Sequence, residues 1–328
     1  MTRPRIGFLG TGWIGRDRMR AIVQTGLVDA VALVEPSEEA AAEALALAPG
    51  ARRVDDLEAL LALELNGVVI ATPSALHAPQ TIQALEAGCA VFCQKPLGRT
   101  GAEAAHAVAA AREANCLLAV DLSYRFTDPA QQVRDLVRSG ELGRVFAADL
   151  TFHNAYGPDK PWFYDRRLSG GGCVADLGVH LVDLALWTLD FPEVVEVSSR
   201  LFAGGEPLAH GDEAVEDYAV ATLTTADGAA IRIACSWRLQ AGREAVIAAE
   251  FHGTQGGAAV LNENGSFYAL AGERRRGTTT ERLPSSDEPW GGRAAADWAR
   301  RLAAGDRYSA EAEQTVTVAR VLDRIYGG

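Results

Sequence analysis

The chain has no excess of positive charge. Its 43 acidic residues outnumber 31 lysines and arginines, which leaves a formal net charge of −12. Nucleic acid and anionic membrane surfaces both call for a basic face, so neither is an expected partner. Long apolar stretches are missing too: no run approaches the roughly 18 residues of a membrane-spanning helix. Five cysteines (Cys89, Cys93, Cys116, Cys173 and Cys235) contain no C-x-x-C pair. An odd number without a framework suggests reduced thiols and a cytoplasmic setting. The opening Met1-Thr2-Arg3-Pro4-Arg5 runs straight into a strand-like stretch, without a signal-peptide pattern. There is no internal repeat and no low-complexity linker. The largest basic cluster, Arg274-Arg275-Arg276, lies between polar stretches and reads as a solvated loop. What remains is 328 residues, 48% hydrophobic and 23% charged. That is the balance of a soluble globular protein, long enough for two domains.

The first half alternates strand and helix. Ile6–Leu9 is a short apolar run, followed by Gly10-Thr11-Gly12-Trp13-Ile14-Gly15 and a helix from Trp13 to about Thr25. A G-x-G-x-x-G between a strand and a helix has a physical reading as a dinucleotide turn. Gly10 permits the tight turn, Gly12 lets backbone approach a pyrophosphate, and Gly15 lets the helix pack close. The helix start then presents free N–H groups to phosphate oxygens. The next strand, Ala30–Val34, ends at Glu35, where an acidic residue accepts hydrogen bonds from ribose hydroxyls and repels a 2′-phosphate. The expected cofactor is therefore NAD, with NADP disfavoured. Further buried strands cover 67–72, 90–93 and 117–121, with helices at about 77–87 and 101–115 between and after them. Cys89 and Cys93 read as core filler at one of these strands. Ligands of open α/β sheets bind off the carboxyl ends of strands, where the glycine turn, Glu35, Thr72-Pro73, His77, Gln94 and Lys95 all fall. This is a doubly wound domain spanning 1–122.

From residue 123 onward the pattern changes. A helix at 129–139, a strand at 145–152 and a long loop at 154–171 precede an apolar, helix-like stretch from Gly172 to Trp187. Asp176, His180 and Asp183 interrupt it at i, i+4 and i+7, which places all three on one narrow face. Burying such groups is costly unless they are paired, solvated or used. The expectation is a buried helix whose polar stripe lines a cavity. One histidine with carboxylates and no partner motif makes a poor zinc site, so no metal is expected. Strand-like runs follow in succession at 194–199, 218–225, 230–237 and 246–252, with Asp227-Gly228 a hairpin turn between two of them. Successive strands mean an antiparallel sheet, so residues 123–328 form an α+β domain closed by helices at about 290–304 and 310–326.

These stretches together resemble the GFO/IDH/MocA oxidoreductases. The matching residues are Gly10–Gly15, Ala71-Thr72-Pro73-Ser74 with His77, Lys95-Pro96, Tyr124-Arg125-Phe126, and Gly170–Gly172 through Asp176-Leu177-Gly178-Val179-His180. The resemblance implies an N-terminal Rossmann domain and a C-terminal substrate domain built on a large open, mostly antiparallel sheet. It also implies assembly through that sheet into a homodimer or homotetramer. Its catalytic residues carry over as Lys95, Asp176 and His180, acting on a secondary hydroxyl or ketone of a sugar, inositol or sugar derivative. His180 would take the hydroxyl proton, Lys95 stabilise the developing alkoxide, and Asp176 hold a neighbouring hydroxyl.

Further candidates stand around this set. His77 faces the nicotinamide or merely belongs to a helix capped by Ser74. Arg125 fixes a substrate hydroxyl or forms a structural salt bridge. His153 and Trp162, with Tyr156 and Lys160, suit a sugar ring, while Trp162 and Phe163 equally suit a hinge or an interface. Asp183 orients a neighbour. The triple glycine reads as room for a close approach of backbone to substrate or nicotinamide. Gln94 departs from the family, which usually has glutamate there, and removes a negative charge beside Lys95. Two other activities stay open: an NAD-dependent glycosidase working through transient C3 oxidation and elimination, and a non-catalytic NAD-binding regulatory protein.

Overall fold

In the computed structural model, residues 3–209, 212–286 and 289–327 are described. The first half places the apolar runs where parallel strands buried on both faces belong. In chain order it comprises β1 (Arg5–Leu9), α1 (Trp13–Gln24), β2 (Asp29–Val34), α2 (Glu38–Leu47), β3 (Arg52–Arg53) and α3 (Leu57–Leu61). It continues with β4 (Gly67–Ile70), α4 (Ser74–Glu86), β5 (Ala90–Cys93), α5 (Gly101–Ala114) and β6 (Leu118–Val120). The strands order as β3-β2-β1-β4-β5-β6, all parallel, which is a doubly wound sheet with its switch point beside β1. Every residue of β4 and β5 is buried. β3 consists of two exposed arginines at the sheet edge, which no apolar periodicity announces. Cys93 lies on β5 and Cys89 just before it, both buried.

The second half is built on a nine-stranded sheet. Its elements are α6 (Asp128–Arg138), β7 (Val145–Asn154), α7 (Arg166–Ser169), a π turn (Val174–Gly178) and α8 (Val179–Thr188). Then come β8 (Val194–Ala203), β9 (Glu206–Pro207), β10 (Tyr218–Thr225), β11 (Ala230–Ser236), β12 (Ala245–Gly253), β13 (Gly257–Asn262), β14 (Leu270–Arg276) and β15 (Thr279–Arg282). The sheet order is β15-β14-β13-β12-β7-β11-β10-β8-β9, with β7 and β11 parallel and the other pairs antiparallel. Burial alternates along β10, β11 and β12, so one face joins the core and the other does not. α9 (Arg293–Ala304) and α10 (Glu313–Ile325) end the chain.

Contacts group the described residues into two units. One holds the chain up to Ser123 together with Gly291–Val316, and the other holds Tyr124–Trp290 and the chain from Thr317. The segment that returns brings Trp298, fully buried, to 5.9 Å from the Phe92 ring in the core of the first unit. The second unit has its own core, in which Leu150, Phe152, Ile231, Ile233 and Phe251 from the sheet meet Val182, Leu184 and Leu186 of α8.

Two expectations need correction here. Arg274–Arg276 is not a solvated loop but the end of β14. Arg274 pairs with Glu281 and Glu141, and Arg275 with Glu273 and Glu250. Glu281 on the adjacent β15, Glu250 on β12, Glu273 on the same strand and Glu141 after α6 offset the charge of Arg274 and Arg275, which lets the ladder continue through them. The stretch from Gly172 to Trp187 is not one α-helix either. It begins in a π turn, whose i→i+5 bonding changes the spacing of side chains around the axis.

Candidate active site

The carboxyl ends of β1, β2, β4, β5 and β6 gather the first group of expected residues. Gly10 takes φ +82, and a Cβ there would sit 2.6 Å from the Ala71 carbonyl oxygen. A Cβ on Gly15 would meet the Gly10 carbonyl oxygen at 2.2 Å, so the first and third glycines are required by packing. Gly12 is different: nothing lies within 4 Å of an added Cβ. That open space lies at the start of α1, a helix with no side-chain cap and no acid in its first turn. Uncapped N–H groups facing open space fit an anionic pyrophosphate. Trp13 is exposed and Ile14 half-buried in the same turn.

Glu35 ties this turn to the end of β2. One carboxylate oxygen accepts from the Thr11 N–H at 2.7 Å and the other from the Ser37 N–H at 3.0 Å. The acid is thus held beside the glycine turn, where ribose hydroxyls of a dinucleotide would meet it. At the end of β4, Thr72 donates from its hydroxyl to Gln80 at 2.6 Å. Its carbonyl oxygen lies 2.6 Å from His77 Nε2, while His77 Nδ1 lies 2.6 Å from the Pro96 carbonyl oxygen. His77 is therefore buried between two strand-end turns with a backbone carbonyl at each ring nitrogen; the neutral ring donates to one of them and the charged ring to both. Burial pushes its imidazole below the ordinary value, against the pull of the two carbonyls. Ser74 does not cap α4; the helix begins at Ser74 itself, after Pro73, and Ser74 makes no capping bond.

Gln94 is buried and its amide donates to Asp121, at the end of β6. The same Asp121 oxygen accepts from Arg18 Nε at 2.5 Å, and Arg18 also reaches Asp17 at 2.6 Å. A glutamate at position 94 would set two buried carboxylates against each other. The amide removes that repulsion, which accounts for glutamine here. Lys95 follows directly, half-buried, at the same strand end.

The second group lies on the π turn and α8. From Gly171 to Thr188 every residue is buried except Asp176 and His180, which are half-exposed. Asp176 accepts from the Trp237 indole N–H at 3.1 Å. The His180 ring meets Tyr124 edge-on at 5.0 Å. Asp183 departs from the stripe: it is buried and engages Arg125 through both oxygens, with Arg125 Nε to Oδ2 at 2.9 Å and Nη2 to Oδ1 at 2.5 Å. Burial raises the Asp183 carboxyl, and Arg125 opposes that rise. The Arg125 guanidinium also lies over Phe191 at 5.4 Å and Trp187 at 6.0 Å, so Asp183 and two aromatic rings hold it.

His153 stacks on Tyr218 and its Nδ1 lies 2.7 Å from the Ser236 hydroxyl, in register across β7, β11 and β10. Burial lowers its imidazole. Trp162 stacks on Phe163 at 3.8 Å, and Phe163 and Tyr164 both meet Trp237 edge-on. The aromatic loop is thereby linked to Asp176 through Trp237, a residue the sequence did not single out. An indole N–H at the end of an alternating strand was the available signal.

The triple glycine also needs a new account. A Cβ on Gly171 would fall 1.9 Å from the Tyr326 hydroxyl, and one on Gly172 would fall 1.9 Å from the Glu216 carbonyl oxygen. Contacts inside the second unit therefore require both glycines. Glu216 and Tyr326 were not singled out in the sequence, and no local pattern connects them to residues 171–172.

Residues 4–122 match the family model described as an oxidoreductase family with an NAD-binding Rossmann fold, and residues 130–259 match the GFO/IDH/MocA C-terminal domain. The chain is 30% identical over 285 residues to D-glucoside 3-dehydrogenase of Escherichia coli (strain K12), covering 81% of each chain. It is 31% identical over 263 residues to inositol 2-dehydrogenase of Rhizobium meliloti (strain 1021), covering 79% of this chain and 76% of that one. The solved structure of GenD2 from gentamicin A biosynthesis, in complex with NAD, superposes with a TM-score of 0.81 at 25% identity. It covers 100% of this chain and 95% of that one.

Proposed function

Because the chain belongs to the GFO/IDH/MocA family of oxidoreductases, we propose that it is an NAD-dependent dehydrogenase of a secondary hydroxyl on a sugar, inositol or sugar derivative. The observation that carries this reading is the pattern of exposure on the buried helix, where Asp176 and His180 alone stay half-open. Apolar packing explains most other positions there and the Arg125 ion pair explains Asp183; neither explains two accessible polar groups one turn apart.

Gly10, Gly12, Trp13, Ile14 and Gly15 would hold the pyrophosphate end of the cofactor, with Glu35 on the ribose and Thr72, Pro73, Gln94 and Lys95 at the neighbouring strand ends. Bound NAD supplies a nicotinamide that accepts hydride from the carbinol carbon. His180 takes the hydroxyl proton as that carbon becomes a ketone, an imidazole being suited to this near neutral pH. The Lys95 ammonium stabilises the developing alkoxide. Asp176, its orientation fixed by the Trp237 N–H, accepts from an adjacent substrate hydroxyl and favours polyols over simple alcohols. Glu35 disfavours a 2′-phosphate, hence NAD over NADP. The protein is further read as a homo-oligomer in which a second copy covers the outer sheet face around Thr151, Ala234 and Ala248, small half-exposed residues in register.

The test is turnover of inositols, aldoses, sugar acids and glycosides with NAD and with NADP, followed by nicotinamide absorbance. Reduction of NAD by at least one polyol is expected; no turnover with either cofactor defeats the reading. Light scattering on the same sample reports the number of copies.

A further inference from the structure

A helix start leaves N–H groups without intrahelical partners. The start of the buried helix has no side-chain cap of its own. Two distant residues serve it instead. The Glu216 carboxylate accepts from the Gly172 N–H at 2.9 and 3.0 Å and from the Val174 N–H at 2.9 Å. Its main-chain oxygen accepts from the Cys173 N–H at 3.0 Å. The Tyr326 hydroxyl donates to Glu216 at 2.8 Å and accepts from the Ala175 N–H at 3.1 Å. Four successive N–H groups, Gly172 to Ala175, are held in this way. The next one, Asp176 N–H, donates to the Gly172 carbonyl at 3.0 Å, so Asp176 hangs from the very residue that Glu216 grips.

We propose that Glu216, with Tyr326 behind it, is a positioning residue that fixes the register of the turn carrying Asp176 and, one turn on, His180. This rests on reading those two residues as the ones that act on substrate. Stability alone does not call for this arrangement. A serine or aspartate at position 173 would cap the helix locally, without a carboxylate that is 2% exposed. A remote acid does what a local cap does not: it ties the helix start to the residue entering β10 and to the final helix. A π turn needs such a tether, because slipping by one residue to α bonding would rotate Asp176 around the axis. The two glycines are the steric condition for it, since a side chain at either position would expel Glu216 or Tyr326.

The experiment compares wild type, Glu216→Gln, Glu216→Asp and Tyr326→Phe, each loaded with NAD. It records kcat and KM for the best polyol, stoichiometry and Kd of NAD binding, and amide hydrogen exchange across residues 172–180. For Glu216→Gln, kcat is expected to fall roughly tenfold or more, as misplacement by about an ångström does, while NAD stoichiometry and Kd stay within about twofold. Exchange at 172–176 should accelerate, and Glu216→Asp, which keeps the charge, should recover part of the loss. Wild-type kcat together with wild-type exchange in Glu216→Gln overturns the proposal. Should that variant not fold, Tyr326→Phe removes a single hydroxyl, and unchanged kcat and exchange in it overturn the proposal equally. If wild type oxidises no polyol, the functional reading fails, and exchange at 172–180 alone then decides whether Glu216 positions the turn.

Discussion

The strand ends of the first unit and the buried helix of the second are assembled on different principles. At the strand ends, neighbouring residues of adjacent parallel strands meet because the sheet brings them together: Glu35 holds Thr11, and His77 joins Thr72 to Pro96. The polar positions of the buried helix are supported from far along the chain. Trp237 serves Asp176, and Glu216 and Tyr326 serve the backbone before it. The first arrangement is a property of a local motif and its sheet. The second exists only once the whole α+β unit has folded. Substitutions should separate the two, with those on the helix acting on turnover and those at the strand ends, Lys95 apart, acting on stability and cofactor binding.

The largest effect is expected at the accessible helix position. His180→Ala should lower kcat by about 10²–10⁴-fold, the range for loss of a general base. NAD affinity and melting temperature should stay near wild type, because the ring is half-exposed. Steady-state kinetics with calorimetric NAD titration checks both parts. Wild-type turnover would remove His180 from the mechanism and with it the contrast between the two regions.

Next in size is Gln94→Glu. The new carboxylate would face Asp121 in a buried setting, at a cost on the order of 3 kcal/mol for an uncompensated buried charge. Urea unfolding near neutral pH should register the loss. Adding Asp121→Asn, which replaces the repelling oxygen with a donor, should restore most of it. If the single variant is as stable as wild type, the Arg18–Asp121–Gln94 cluster does not explain the glutamine.

Much of this was legible from residues alone, for reasons that follow the same division. G-x-G-x-x-G, the acid after β2 and the all-apolar strands encode the doubly wound sheet within short windows, and the fold has them where they were expected. β13 to β15 escaped because small and charged residues make up much of them, with arginine–glutamate pairs within β14 and to β15 and β12 present where apolar side chains stand elsewhere. The π turn escaped because it has the same composition as an α turn. The helix stripe was visible as Asp176, His180 and Asp183, but its division into two accessible groups and one buried ion pair depends on Arg125. The triple glycine was visible and its cause was not, since Glu216 and Tyr326 lie 44 and 151 residues from the groups they hold.

A smaller effect tests the link between the aromatic loop and the helix. Trp237→Phe keeps an aromatic ring beside Phe163 and Tyr164 while removing the N–H to Asp176 and part of the buried ring volume. One hydrogen bond to a charged acceptor is worth about 1.5–3 kcal/mol when buried, and less at a half-open group. A loss of about three- to tenfold in kcat for a polyol is therefore expected, with NAD affinity unchanged. An equal loss in NAD affinity would mean that Trp237 supports the unit as a whole rather than Asp176.

The smallest effect belongs to His77 and appears as a dependence on pH. Burial depresses its folded-state value below the ordinary 6.5, although the Pro96 and Thr72 carbonyls favour the charged ring and Lys95 disfavours it. A histidine depressed on folding binds fewer protons in the native than in the unfolded state once pH drops below 6.5. Its contribution is then fully present above that value and is lost as pH falls through the folded-state value. Wild-type stability should accordingly decline between neutrality and about pH 5. His77→Gln, which retains a donor and an acceptor but does not titrate, should be less stable at neutral pH by about 1 kcal/mol and should decline less. The gap between the two proteins in urea unfolding should narrow toward low pH. A gap that widens instead would mean that the two carbonyls outweigh burial and that the ring is an imidazolium, which would make this strand-end contact a charged one.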